Sequence, residues 1–143
     1  MTLKPSLVTR IAVGKAFGLI FGLVGFFLMP VFGFDDLMLR FGVLFWYVTL
    51  GALVAIFGVL DFQPVLKFHI PWWACGTLTG AWMNFVLTLF VFDIFAPVMA
   101  AEPVMGFTSP WWIVLEGAVF GLIAGGLAER FGGEGASRAP ARA

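Results

Sequence analysis

Four apolar runs of membrane length, each set off by a short polar break, constrain this chain more than any other feature. They extend from Ile11 to Val31, Phe41 to Leu60, Trp72 to Phe95 and Trp111 to Ala128. A hydrocarbon core about 30 Å thick is crossed by about 20 helical residues. Inside it every backbone N–H and C=O must be satisfied within the chain, which a helix does alone. The expected fold is all-α: an integral membrane bundle of four transmembrane helices spanning residues 1–131. The Gly/Ala/Arg-rich stretch 132–143 is expected to be a disordered tail.

Composition bears on whether those runs are buried in protein or in lipid. Hydrophobic residues make up 62% of the chain and charged residues 11%, against about 25% charged in soluble domains. A soluble core of this size would leave large apolar patches exposed. Lys4 and Arg10 before the first run resemble a signal-peptide start. The run is longer than an h-region and no small-residue cleavage site closes it, so a retained first span is expected.

The breaks hold most of the charge and proline: 33–40 with Asp35, Asp36 and Arg40, 61–70 with Asp61, Lys67 and His69, and 96–110 with Glu102 and three prolines. Lys4, Arg10, Lys15, Lys67, Arg130, Arg138 and Arg142 fall on one side of the membrane and Arg40 alone on the other. By the positive-inside rule both termini are cytoplasmic, and a bacterial inner membrane is the expected location. Pro71-Trp72-Trp73 and Pro110-Trp111-Trp112 open the third and fourth spans at opposite interfaces. Proline suits a first helical turn and tryptophan the headgroup level. The matching starts also suggest an inverted internal repeat.

Helices in lipid associate through close packing and polar contacts, so small-residue faces carry information. Gly14, Gly18 and Gly22 form a ladder on the first span and Gly117, Gly121 and Gly125 one on the fourth. Gly76 and Gly80 lie on the third, with Asn84 next in register. Either the first and fourth ladders pack within one bundle, or each meets its copy in a homodimer. Packing of the first and fourth ladders on each other would let Lys15 and Glu129 meet at the inner boundary; the alternative is that both snorkel separately to headgroups.

Ionisable groups within a span are costly and default to functional candidates. Glu116 lies about a turn below the outer tryptophans, with Asp93 and Arg40 expected at similar height. An ion-pair clamp between helices or the mouth of a cation path both fit such a cluster. Asn84, flanked by Thr79 and Thr88, is the strongly polar side chain nearest mid-membrane and must find a hydrogen-bond partner. His69 and Cys75 read as an interfacial side chain and a small inert one.

Several function classes are excluded. A formal net charge of +0, without Lys/Arg runs, offers no nucleic-acid footprint. One cysteine and one histidine preclude an internal disulfide or a Cys/His zinc site within one chain. There is no nucleophile-base-orienter arrangement, phosphate-cradling loop, HExxH or CxxC. No catalytic residue, cofactor or metal is therefore expected.

Length and span count are similar to those of two four-span families, the small multidrug transporters and the fluoride channels. The first places a glutamate deep in its first span, where this chain has Lys15 and glycines. The second is loosely similar at Gly76-Thr-Leu-Thr-Gly80-Ala-Trp-Met-Asn84 but carries a Thr/Phe/Ser-rich filter absent here. The expected role is that of an accessory, assembly or homo-oligomeric subunit working through helix contacts, its partners being the bilayer and its own copy or another membrane protein. The alternative is an ion or small-solute channel or transporter lined by Asn84, Thr88, Asp93 and Glu116.

Overall fold

The computed structural model describes residues 6–60, 62–63, 68–102 and 106–133. Four helices, α1 (Leu7–Leu28), α2 (Leu37–Phe57), α3 (Trp72–Ala101) and α4 (Trp112–Gly132), are each long and apolar enough to cross a membrane. A single 3-10 turn (Met29–Phe32) extends α1, and a two-residue antiparallel hairpin pairs Phe62 with His69 and Gln63 with Phe68 between α2 and α3. Residues 134–143, with Arg138 and Arg142, lie outside the described residues, as do Lys4, Asp61 and Lys67. Gly132, the expected start of the tail, is still helix.

Local chemistry sets the helix ends. Ser6 caps α1 by accepting from the Thr9 N–H at 3.1 Å. Asp36 caps α2 by accepting from the Leu39 N–H, also at 3.1 Å, as short polar side chains do at exposed first turns. Between α1 and α2 the chain reverses at Gly33, whose φ of 88° lies in the left-handed region that favours glycine. Pro71 precedes the first residue of α3.

α3 outruns its expected end at Phe95 by six residues and carries Pro97 inside it. Proline removes one helical hydrogen bond, but the turns beyond it are held by packing: Met99 joins Met29 and Phe34 in a buried cluster, with Phe95 and Val98 against it.

The glycine ladders close two hairpins. Gly14 lies against the backbone of Gly51, Gly18 against that of Tyr47 and Gly22 against Leu44, so the α1 ladder packs on α2. Gly76 lies against Gly121 and Gly80 against Gly117, so the α4 ladder packs on α3. A Cβ on any of these glycines would overlap the opposing helix. The first and fourth ladders thus do not meet each other; each is used by its neighbour in sequence. Gly51, opposite Gly14, is part of this packing and was not among the expected packing glycines. The same contacts match α1 to α3 and α2 to α4, two hairpins running in the same sense.

Between the hairpins Tyr47, Leu50, Val54, Phe120 and Ala124 form the central core. Phe17, Phe21, Tyr47 and Phe120 contact one another in it with ring centroids 4.8–6.3 Å apart. The perimeter is apolar: Ile20, Phe27, Leu78, Trp82, Phe90 and Ile123 are all exposed. A helix face this apolar is suited to lipid.

Candidate functional site

Residues 33–36 and 107–111 mark one end of the bundle, the loop end; the start of α1 and the end of α4 mark the other, the terminal end. Asn84 lies between the two hairpins and is completely buried. It is the α3 counterpart of Gly22, and Gly117 opposite it leaves the room: a Cβ at 117 would overlap the Asn84 side chain. Its amide is fully used. Oδ1 accepts from Trp46 Nε1 at 3.0 Å, while Nδ2 donates to the Ile113 carbonyl at 2.9 Å and to the Tyr47 hydroxyl at 3.1 Å. Tyr47 in turn donates to Glu116 Oε1 at 3.0 Å. One polar chain, Trp46–Asn84–Tyr47–Glu116, thereby joins α2, α3 and α4.

The direction of this chain is determined by its first member. An indole N–H only donates, so the Asn84 oxygen must face Trp46 and the amide nitrogen must face Tyr47. A hydroxyl that accepts from the amide donates onward, and Glu116 is the terminal acceptor. Glu116 Oε2 has neither hydrogen bond nor ion pair among the described residues.

Glu116 also borders a cavity of ≈ 450 Å³ in the loop-end half of the bundle. Phe21 and Tyr47 of the central core lie at its base, and Met29, Phe34 and Met99 of the loop-end cluster line its other end. The lining residues from α2 and α3 (Val43, Tyr47, Leu87, Val91, Phe95 and Met99) are buried or half-buried. Those of α1 and α4 include Val24 at 53%, Leu28 at 46% and Trp112 at 44% exposure. The chamber therefore opens sideways between α1 and α4. Towards the terminal end it is closed: Leu50, Val54 and Ala124 are 0% exposed and Phe120 1%.

The other candidate residues are placed differently. Thr88 is buried, and its hydroxyl donates to the Asn84 carbonyl within its own helix at 2.7 Å, so it lines no passage. Asp93 is exposed. Arg40 reaches neither acid: its Nε donates to the Phe26 carbonyl at 2.8 Å and its guanidinium lies 4.2 Å from the Phe26 ring centroid. That carbonyl is available because residue 30, its helical partner, is proline and has no N–H. The expected cluster of Arg40, Asp93 and Glu116 is not formed.

At the terminal end Glu129 pairs with Arg10 at 2.7 Å, not with Lys15, which is exposed. Arg10 is 0% exposed. It also donates to the carbonyls of Ala55 (3.3 Å) and Gly133, placing a cation at the C-terminal ends of α2 and α4, where the helix dipoles favour one. Gly58 and Gly132 make space for it; a Cβ at either would collide with the arginine side chain. In the sequence Arg10 stands out only as a charge flanking the first span. The signal available was its position, in the first turn of a span beside two antiparallel helix ends.

Among the described residues no group of three or more His, Cys, Asp or Glu side chains could hold a metal ion. Comparison with protein-family models, with characterised proteins and with solved structures finds no match to this chain.

Proposed function

We propose that this chain is a non-catalytic subunit of a bacterial inner membrane, with both termini cytoplasmic, that works through helix contacts as an accessory or assembly component or as a small homo-oligomer. The observation that carries this reading is the division of its surface and interior. The glycine faces are consumed within the chain, leaving an exposed perimeter of large apolar side chains. Among the described residues the central core is closely packed below the chamber, with Leu50, Val54, Ala124 and Phe120 at 0–1% exposure, which supports this reading over a polar route from end to end. What such a molecule offers its surroundings is its side surface.

Purification from native membranes in a mild detergent tests this. The expected result is a native mass above that of one chain, with either a stoichiometric partner or a second copy. A monodisperse monomer with nothing bound would overturn it. The orientation is tested separately by single cysteines at Asp35 and Gly106 in a Cys75→Ser background, which an impermeant maleimide should label from outside intact cells.

A second reading, solute or ion movement, is favoured by one observation: Glu116, itself exposed, borders a cavity and ends a polar chain that starts from the buried Asn84 and Tyr47. It requires the Leu50, Val54, Phe120 and Ala124 plug to part. Flux into liposomes that is lost in Glu116→Gln would establish it.

A further inference from the structure

We infer that the loop-end chamber is a binding site for a membrane-dissolved amphiphile carrying a single ammonium group, entered sideways between α1 and α4. Three features converge on that chemistry. The first is Glu116, held as the terminal acceptor of the Trp46–Asn84–Tyr47 chain with its Oε2 unengaged. The second is the wall, where Phe21, Phe32, Phe34, Phe95 and Trp112 supply aromatic rings to a chamber whose lining, among the described residues, includes no Lys, Arg or His. An acid with aromatic faces around it suits an alkylated ammonium, which gains from the carboxylate and from the ring quadrupoles together. The third is size and access: ≈ 450 Å³ falls within the usual range of about 300–1,000 Å³ for small-molecule sites, and the exposed lining residues Val24, Leu28, Phe107 and Trp112 are all apolar or aromatic.

The same lining argues against a zwitterionic lipid headgroup. A phosphate brought in with its choline would lie beside Glu116 with no cationic side chain of the chamber to receive it. The occupant is therefore a free amphiphilic ammonium, and its tail takes the apolar remainder of the chamber.

The test uses the full chain in nanodiscs, with protein-free nanodiscs subtracted, and a matched pair of probes, dodecyltrimethylammonium and dodecanol. Two variants accompany it. Glu116→Gln removes the charge and keeps the shape. Gly25→Leu fills the chamber from a position that lines it and whose Cβ would meet nothing within 4 Å. Size-exclusion profiles and melting midpoints establish that both variants fold. The expected result is saturable binding of the ammonium at least about tenfold tighter than dodecanol, a difference of about 1.4 kcal/mol. Glu116→Gln should erase that preference, and Gly25→Leu should weaken both probes. Equal binding of the two probes, or a preference that survives Glu116→Gln, overturns the ammonium assignment. Binding untouched by Gly25→Leu places the ligand elsewhere and overturns the site. Displacement of the ammonium when phosphatidylglycerol nanodiscs are replaced by phosphatidylcholine ones would assign the site to a lipid headgroup and overturn the free amphiphile.

Discussion

Asn84 lies directly on the backbone of Gly117, so that a methyl group at 117 would claim the space its side chain now fills. The contact sets the distance between α3 and α4 and, through the amide, brings Trp46 and Tyr47 of the other hairpin to the same point. Gly117→Ala should therefore act on two interfaces at once. Overpacking of a filled interior costs about 1–3 kcal/mol, and a loss of that order is expected in reversible unfolding from mixed micelles. Gly25→Ala is the matched control, because a Cβ at Gly25 meets open space, and it should leave the midpoint unchanged. Equal effects of the two substitutions would contradict the seating of Asn84.

The Arg10–Glu129 pair supports a sharper expectation. Removing one partner of a buried ion pair leaves the other charge uncompensated, at a cost of about 3–5 kcal/mol. The partial exposure of the Glu129 side chain, 22%, puts Arg10→Ala at or below the lower end of that range. Lys15→Ala, an exposed substitution, should stay within about 0.5 kcal/mol. Exchanging the charges, Arg10→Glu with Glu129→Arg, should fail to restore stability, because the Ala55 and Gly133 carbonyls would then face a carboxylate instead of a donor. Full rescue by the exchange would show that the pair alone matters and that the helix ends do not.

Much of the architecture was legible in the chain because it rests on one-dimensional signals. Span length, Pro-Trp-Trp starts and small residues at four-residue spacing each report on a helix by itself. Which ladder meets which is a pairwise question, and the α1 ladder is met by Gly51, Tyr47 and Leu44, only one of them small; nothing in a spacing rule marks Tyr47 as a packing partner for Gly18. Asn84 and Glu116 stood out as polar groups in apolar runs, but their link runs through Tyr47, whose sequence surroundings are unremarkable. Arg40 was read by its charge, yet its partner is a backbone carbonyl. Pro30 held that information, since a proline in the last turn of a span frees the carbonyl four residues earlier.

That last relationship is itself open to test. Arg40→Ala strands the Phe26 carbonyl and should cost about 1 kcal/mol, in the range of interhelical hydrogen bonds measured in membranes. Pro30→Ala restores an N–H four residues after Phe26. In the Pro30→Ala background Arg40→Ala should therefore cost measurably less than it does alone, a non-additivity read from a double-mutant cycle. Strict additivity would mean that Arg40 is retained for its contact with the Phe26 ring and not for the carbonyl.

The polar chain between the hairpins yields the remaining expectation. Trp46 fixes the orientation of the Asn84 amide, and through it the donor direction of the Tyr47 hydroxyl. Trp46→Phe deletes the indole donor and leaves Oδ1 without its partner, while Asn84→Leu deletes the hub itself. Interhelical hydrogen bonds in lipid contribute on average about 0.6 kcal/mol and at most about 1.7, so the coupling between these two substitutions should fall within that window. The sign carries the argument. If the chain acts as a unit, removing Trp46 matters only while Asn84 is present, and the double variant is no less stable than Asn84→Leu alone. A Trp46→Phe effect of equal size in both backgrounds would reduce Trp46 to a packing residue, and the direction of the Tyr47–Glu116 hydrogen bond would no longer be determined from that end.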